Sequence, residues 1–493
     1  MSQDQMTDRN RWIALYVLCA GMLMIVLDIT IVNVALPSIQ DDLGFSQSNL
    51  AWVVNGYLIA FGGLLLLSGR FGDILGYKSV FMAGLAVFTV ASFLCGLAQT
   101  EEMLVGARFI QGIGGAMTSA VILSMIVTMF PEARDQAKAM GVYAFVASGG
   151  GSVGLLLGGV LTESINWHWI FFVNVPIAIV TAILAARLLP RDEGIGFGDG
   201  ADVLGATLIT SSLMIGVYTI VSPAAENGWG SASAIGFGTA SLLLLAAFIA
   251  REVRTANPIM PLRIFRSRNV SGANLVQALS VAGMFGMFFL GSLYMQRVLG
   301  YSALEIGLAF IPVTLVMGTL SIRYTEPLVM RYGAKRMVVL GMTLIASGLL
   351  LFTRTPVDGS YVRDLLAPMI LFGAGAGLSF PALMTVAMSG ATREDAGLAS
   401  GLVNTSAQVG GALGLAVLAT LSGSRSDSLI DDGEATASAL TSGYHLAFLV
   451  GALLVGAAIA VALTVLQPEE RAEAEVAAEG ERAGREPAYS EAG

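Results

Sequence analysis

Asp28 stands in Leu27-Asp28-Ile29-Thr30-Ile31-Val32-Asn33-Val34-Ala35-Leu36-Pro37, the second half of a long apolar stretch with no other charge close in sequence. An ionised carboxylate at bilayer depth costs roughly 2.5–3.5 kcal/mol on insertion scales, so such a residue faces a watery cavity or a partner. Burial penalises the charged form of a carboxyl group, which places Asp28 where it could take up and release protons. A cation sits in the fourth apolar stretch, Arg108-Phe109-Ile110-Gln111-Gly112-Ile113-Gly114-Gly115, where Arg108 and Gln111 are i,i+3 neighbours on one helical face. Arg108 would favour deprotonation of a nearby carboxylate, and Asp28 is the candidate deep in the amino-terminal half. Arg108 also lies close enough to the end of its stretch for its head to snorkel to the interface instead. The sequence has no Ser/His/Asp, two-carboxylate or metal-ligand arrangement, so it points away from an enzyme, and it implies no cofactor and no metal.

The elements that must hold these groups are membrane helices. The 493 residues are 55% hydrophobic and 12% charged, with a mean hydropathy of +0.75, which is too apolar for a soluble protein. Crossing a hydrocarbon layer of roughly 30 Å takes about 20 apolar residues. Fourteen such stretches are read, over 12–36, 50–68, 80–98, 104–129, 140–161, 169–189, 203–221, 232–250, 270–295, 306–322, 337–352, 365–388, 398–421 and 444–466. With the first connection outside, twenty-one basic residues fall in inner segments and four in outer ones, leaving Arg108 within a span. The positive-inside rule then puts both termini in the cytoplasm. Residues 1–11 are polar and carry no cleavable signal. Residues 467–493 hold eight Glu and three Arg, within a net charge of −9 for the chain, and read as a disordered acidic tail. Cys19 and Cys95 fall in apolar spans, where a thiol behaves as a small hydrophobe.

The first inner connection reads Gly69-Arg70-Phe71-Gly72-Asp73-Ile74-Leu75-Gly76-Tyr77-Lys78. Its glycines permit a tight turn and close helix approach, and Asp73 suits the positive end of a neighbouring helix. The pattern resembles the loop motif of the major facilitator superfamily, an inner gate latch, although Ile74 stands where that family usually has a basic residue. The resemblance makes Gly69, Asp73, Gly76 and Lys78 conformational residues. The Arg108 stretch resembles the superfamily's fourth-helix motif, in which the Arg helps proton coupling. Gly150, Gly154 and Gly158 recur every four residues, and with Gly159 they form a small-residue stripe for close helix packing. Their spacing is similar to the antiporter motif of drug exporters, with Leu155 where that family has Pro. No Gly-Lys-Ser/Thr follows, so this is not a nucleotide-binding loop.

Leu27 to Pro37 and Trp167-His168-Trp169-Ile170-Phe171-Phe172-Val173-Asn174-Val175-Pro176 resemble the motifs of the 14-span drug:proton antiporters of the QacA and EmrB type, with His168 replacing the usual Arg. The resemblance implies an all-α integral membrane protein of the major facilitator fold. Its parts would be a cytoplasmic segment 1–11, a six-helix bundle 12–190, two linker helices and a basic loop 191–268, a second six-helix bundle 269–466, and the tail 467–493. Arg331-Tyr332-Gly333-Ala334-Lys335-Arg336 echoes the first-half loop, as expected of parallel repeats.

Polar and soft side chains at helical spacing are the candidates for substrate contact. They are Asn33, Asn55, Tyr57, Gln111 and Tyr143 in the first half and Asn274, Gln277, Met284, Phe288, Asn404 and Gln408 in the second. Any of them could equally be interhelical hydrogen-bond glue. The expectation is a monomeric exporter in a bacterial inner membrane. Its partners would be a lipophilic or amphipathic small molecule, protons and the bilayer, with no nucleic acid. The departure at Leu155 leaves a proton-coupled importer, or a carrier for a dedicated metabolite or lipid, as the alternative; a membrane sensor would need an effector domain.

Overall fold

The computed structural model describes residues 8–130, 132–190, 194, 202–221, 223–255, 258, 262–391 and 396–468. Helices begin where short polar residues can cap them: Ser46, Thr100, Ser231 and Ser267 each accept from a backbone N–H three residues on. Ser302 goes further and forms a capping box with Glu305.

The amino-terminal group contains α1 (Asp8–Leu43), α2 (Gln47–Leu75), α3 (Tyr77–Gly96), α4 (Glu101–Met129), α5 (Ala133–Ser164), the single turn α6 (Trp169–Phe172) and α7 (Asn174–Leu188). Between the groups lie α8 (Val203–Val221), the short α9 (Pro223–Asn227) and α10 (Ala232–Arg254). The carboxyl-terminal group contains α11 (Arg268–Arg297), α12 (Ala303–Thr319), α13 (Thr325–Tyr332), α14 (Ala334–Phe352), α15 (Leu366–Ser389), α16 (Ala396–Asp431) and α17 (Thr436–Thr464). A π-helical turn, Leu320–Tyr324, joins α12 to α13. Among the described residues, eleven helices are long and apolar enough to cross a membrane. Three shorter apolar segments, Asn49–Leu65, Val153–Ser164 and Leu204–Ile220, lie in α2, α5 and α8.

Both groups pack in the same pattern. α1 lies on α5 and α7, α2 on α4, and α3 on α4 and α7; correspondingly α11 lies on α16 and α17, α12 on α15, and α14 on α15 and α17. The turns repeat as well. Most of the expected loop motif is helical: α2 runs to Leu75, and the reversal is left to Gly76 at φ +90°, ψ 136°. Gly333 makes the matching turn at φ +85°, ψ 145°, a conformation that L side chains rarely adopt. Two residues after each glycine a lysine caps the last helix of its bundle. Lys78 Nζ donates to the carbonyls of Ala186 (2.9 Å) and Leu189 (2.7 Å), and Lys335 Nζ to those of Leu463 (3.0 Å) and Leu466 (2.6 Å).

The two groups pack through α2 on α16 and α5 on α12, and polar contacts join them at the end of the molecule that carries Asp41. Arg297 of α11 pairs with Asp41 and, at 3.2 Å, with Gln40 of α1; Glu163 of α5 accepts from the Leu304 amide of α12 at 3.0 Å. The linker pair is held by reciprocal bonds between Ser212 and Ser241, each hydroxyl donating to the other's carbonyl at 2.8 Å. α8 is wedged against both groups, with Thr210 beside Gly63 of α2 and its Ile220 carbonyl accepting from Thr420 of α16. α10 presents Leu242 and Leu243 outward.

Candidate functional site

Asp28 and Arg108 meet inside the amino-terminal group. Arg108 Nη1 lies 2.5 Å from Asp28 Oδ2, and both side chains are buried, at 1% and 0% exposure. Arg108 therefore does not snorkel; a guanidinium and a carboxylate removed from water are tolerated only with close pairing and satisfied hydrogen bonds. Those bonds are present. Arg108 Nε donates to the Val53 carbonyl (2.9 Å) and Nη1 also to Gln111 Oε1 (2.7 Å). Gln111 Nε2 donates to Asp28 Oδ1 at 2.7 Å, and Asn174 Nδ2 to the same oxygen at 3.0 Å. Ser92 Oγ accepts from both amides (3.2 and 3.1 Å) and donates to the Phe171 carbonyl (2.9 Å). Cys95 Sγ reaches Gln111 Oε1 at 3.5 Å. The Tyr57 ring lies 4.5 Å under the guanidinium, a cation–π contact in a dry setting.

Glycines bring these helices close enough for short side chains to meet. A Cβ on Gly112 would stand 2.4 Å from the Tyr57 carbonyl, and one on Gly114 2.4 Å from the Phe88 amide nitrogen, so α4 runs almost in backbone contact with α2 and α3. Gly115 makes room for the Tyr57 phenol, whose oxygen would lie 2.6 Å from a Cβ there. The stripe on α5 does the same for α1. Gly154 faces Thr30 and the Leu27 carbonyl, and a Cβ on Gly158 would stand 2.7 Å from the Ile31 carbonyl, so the stripe meets residues on either side of Asp28 in sequence. Gly159 turns the other way, where a Cβ would stand 2.8 Å from the Ala303 carbonyl of α12. The Leu155 carbonyl lies 2.7 Å from where Gly307 would carry a Cβ, so the position without Pro takes part in the same α5–α12 crossing.

The other expected residues divide. Gln111 and Tyr57, read as substrate contacts, belong to the wall of the ion pair, both at 0% exposure. Asn33 donates to the Ile29 carbonyl of its own helix, and Asn55 is buried with no hydrogen-bond partner among the described residues. Tyr143 lies against Met22. In the carboxyl-terminal group Asn274 bonds Ser406 and the Val270 carbonyl, Phe288 packs on Phe310 and Phe372, and Gln408 crosses Gly62 of α2. Gln277 and Met284 are buried on α11, and Asn404 is exposed on α16. Gly150 faces Leu23 and Val26 of α1. Gly69 sits within α2 with nothing within 4 Å of a Cβ, so the close approach in that motif rests on Gly72 and Gly76. The Asp73 side chain lies outside the described residues. Ser92, Cys95 and Asn174 complete the network without having been singled out for it; only Asn174 stood within a quoted motif.

The Major Facilitator Superfamily sequence profile matches residues 18–415 and again 325–491. The chain belongs to that superfamily. It is similar, at 38% identity over 461 residues covering 92% of this chain and 91% of the relative, to a puromycin resistance protein of Streptomyces alboniger. A cephamycin export protein of Amycolatopsis lactamdurans is 40% identical over 83% of this chain and 85% of its own length. A tetracenomycin C resistance and export protein of Streptomyces glaucescens is 30% identical over 96% and 95%. The crystal structure of a bacterial homolog of the human lysosomal transporter Spinster, inward-facing and unoccupied, superposes with a TM-score of 0.68 at 15% identity, covering 95% of this chain and 99% of that one, a likeness of fold. This superfamily member is thus a multi-pass membrane transporter with bacterial relatives.

Proposed function

We propose that this transporter exports lipophilic or amphipathic antibiotics by proton antiport, with Asp28 as the carboxylate that is alternately protonated and released. The observation that carries the reading is the dry pairing of Asp28 with Arg108 under three converging donors. The site suits the ionised carboxylate: Arg108, Gln111 and Asn174 all donate to it, and among the described residues no acceptor faces it. A protonated Asp28 would need an acceptor, and Asn174 Oδ1 has no hydrogen-bond partner among the described residues. Turning that amide would offer it. Protonation would also leave Arg108 buried without a counter-charge, a penalty large enough to drive helices apart. Occupancy of Asp28 by a proton is in this way tied to the packing of α1 against α4.

Reading the three shorter apolar segments as crossings gives fourteen spans, with the Gly76 and Gly333 turns and both termini cytoplasmic. The contacts at the Asp41 end then close the outer side, and the state is inward-facing, ready to take substrate from the cytoplasm or inner leaflet. The names of the antibiotic resistance and export relatives support drugs as the cargo.

The test is substrate-driven proton movement in proteoliposomes. Asp28→Asn should abolish the proton signal while binding of substrate persists. Undiminished coupling in that variant would overturn the assignment.

A further inference from the structure

A cavity of about 620 Å³ opens away from the ion pair, between the amino-terminal group and the linker helices. Trp52 of α2, Glu101 and Glu102 of α4, Met214 and Tyr218 of α8 and Phe237 of α10 carry its character. None of its lining residues comes from the carboxyl-terminal group, so it lies off the surface along which the two groups meet. Its size is that of a drug-binding cleft. Its walls are aromatic: Tyr218 and Phe237 stand edge to face at 5.2 Å, 41% and 43% exposed, beside the nearly buried Trp52. Among the described residues no Lys or Arg lines it, and the charges present are the two carboxylates in the first turn of α4. Acidic residues there also suit the helix dipole. The dipole does not account for the aromatic cleft beside them, where the linker pair leans on the bundle.

We infer that this cleft is a peripheral binding site for a lipophilic monocation, its apolar body against Trp52, Tyr218 and Phe237 and its charge beside Glu101 and Glu102. Aromatic faces and carboxylates both attract a cation that has shed part of its water. The same carboxylates repel anionic lipid headgroups. The inference stands apart from proton coupling and from Asp28.

The experiment uses the full chain in phosphatidylcholine nanodiscs and two probes of nearly the same size and shape but opposite charge, tetraphenylphosphonium and tetraphenylborate, with binding read by equilibrium dialysis. Wild type should show a tetraphenylphosphonium component that weakens by roughly tenfold in Glu101→Gln/Glu102→Gln, as expected on losing partly screened charges, and that survives in Asp28→Asn. Phe237→Ala should weaken it at an unchanged unfolding temperature. The inference is overturned if Glu101→Gln/Glu102→Gln binds tetraphenylphosphonium as wild type does, if tetraphenylborate fills the component equally, or if Asp28→Asn alone removes it.

Discussion

Alanine at Gly158 would place a methyl group 2.7 Å from the Ile31 carbonyl oxygen and 3.0 Å from its side chain. Ordinary contact begins near 3.4 Å, so α1 and α5 must separate by about 0.7 Å at this point. Neither helix has an easy retreat. On its other side α5 lies so close to α12 that a Cβ on Gly159 would stand 2.8 Å from the Ala303 carbonyl, and α1 is tied through Asp28 to α4 by bonds of 2.5 and 2.7 Å. Overpacking of this kind costs about 1–3 kcal/mol, against a gain of up to about 1 kcal/mol from replacing glycine in a helix. Gly151→Ala supplies the contrast, because its nearest neighbour, Thr30 Cγ2, is 3.8 Å away. Thermal unfolding of purified protein and proton movement in proteoliposomes should therefore separate the two variants. Gly158→Ala loses stability and coupling together, while Gly151→Ala keeps both. A Gly158→Ala protein with wild-type unfolding and wild-type coupling would refute the claim that this stripe sets the position of Asp28.

Removing one member of the ion pair, as in Arg108→Ala, should destabilise by about 3–5 kcal/mol because Asp28 is left buried and unpaired; a loss under 1 kcal/mol in denaturant titration would contradict the dry pairing. Lys335→Met should cost about 1 kcal/mol by uncapping α17, measured as faster amide exchange confined to the end near Leu463, with Lys78→Met doing the same at α7. Arg297→Ala removes a part-exposed pair worth no more than about 1 kcal/mol. It should raise the outward-open population by up to about fivefold in spin-label distance distributions, with no change meaning that the Asp41 end is held by packing alone. Burial holds the His168 imidazole below the ordinary histidine range, while the Asp42 carboxylate pulls the other way. The unfolded chain therefore takes up more protons as pH falls through about 6.5, and stability present above that pH declines below it. His168→Gln should flatten this acid-side loss in unfolding temperatures compared at pH 7.5 and 5.5.

The ion pair is legible in the sequence because Asp28, deep in an apolar run, needs a partner and Arg108 is the cation within a span of the same half; the alternative of a snorkelling Arg108 is settled only by the contact itself. Their helpers are not. Ser92 and Asn174 are small neutral residues in apolar helices, where most of their kind bond only their own backbone, and three-dimensional convergence alone gives them a partner. Tyr57 and Gln111 are read as substrate contacts because their polarity suits a cavity, and their contacts to the Arg108 guanidinium become visible only in the folded chain. Repeat structure showed in Gly333 and Lys335, whereas the lysine's task of capping a helix over a hundred residues away did not. Span ends drifted for a simple reason. Hydropathy stops at the headgroups and backbone hydrogen bonding does not, so α16 continues to Asp431 although its apolar run ends near 421.

The two groups share a packing plan but not a chemistry: among the described residues, Asp28 is the one acid buried inside either of them, the other buried acids, Asp202 and Glu252, belonging to the linker pair. On the antiport reading proposed above, one-for-one exchange on a lone carboxylate would fix a ceiling on accumulation. A charge moved down 100 mV yields about 2.3 kcal/mol, enough for roughly a fifty-fold gradient of a neutral compound and nothing for a monovalent cation, whose exit cancels the proton's entry. Under such exchange uncharged compounds would be expelled at the expense of both the voltage and the pH difference, and monovalent cations at the expense of the pH difference alone, so that collapsing either component selectively should sort substrates by charge.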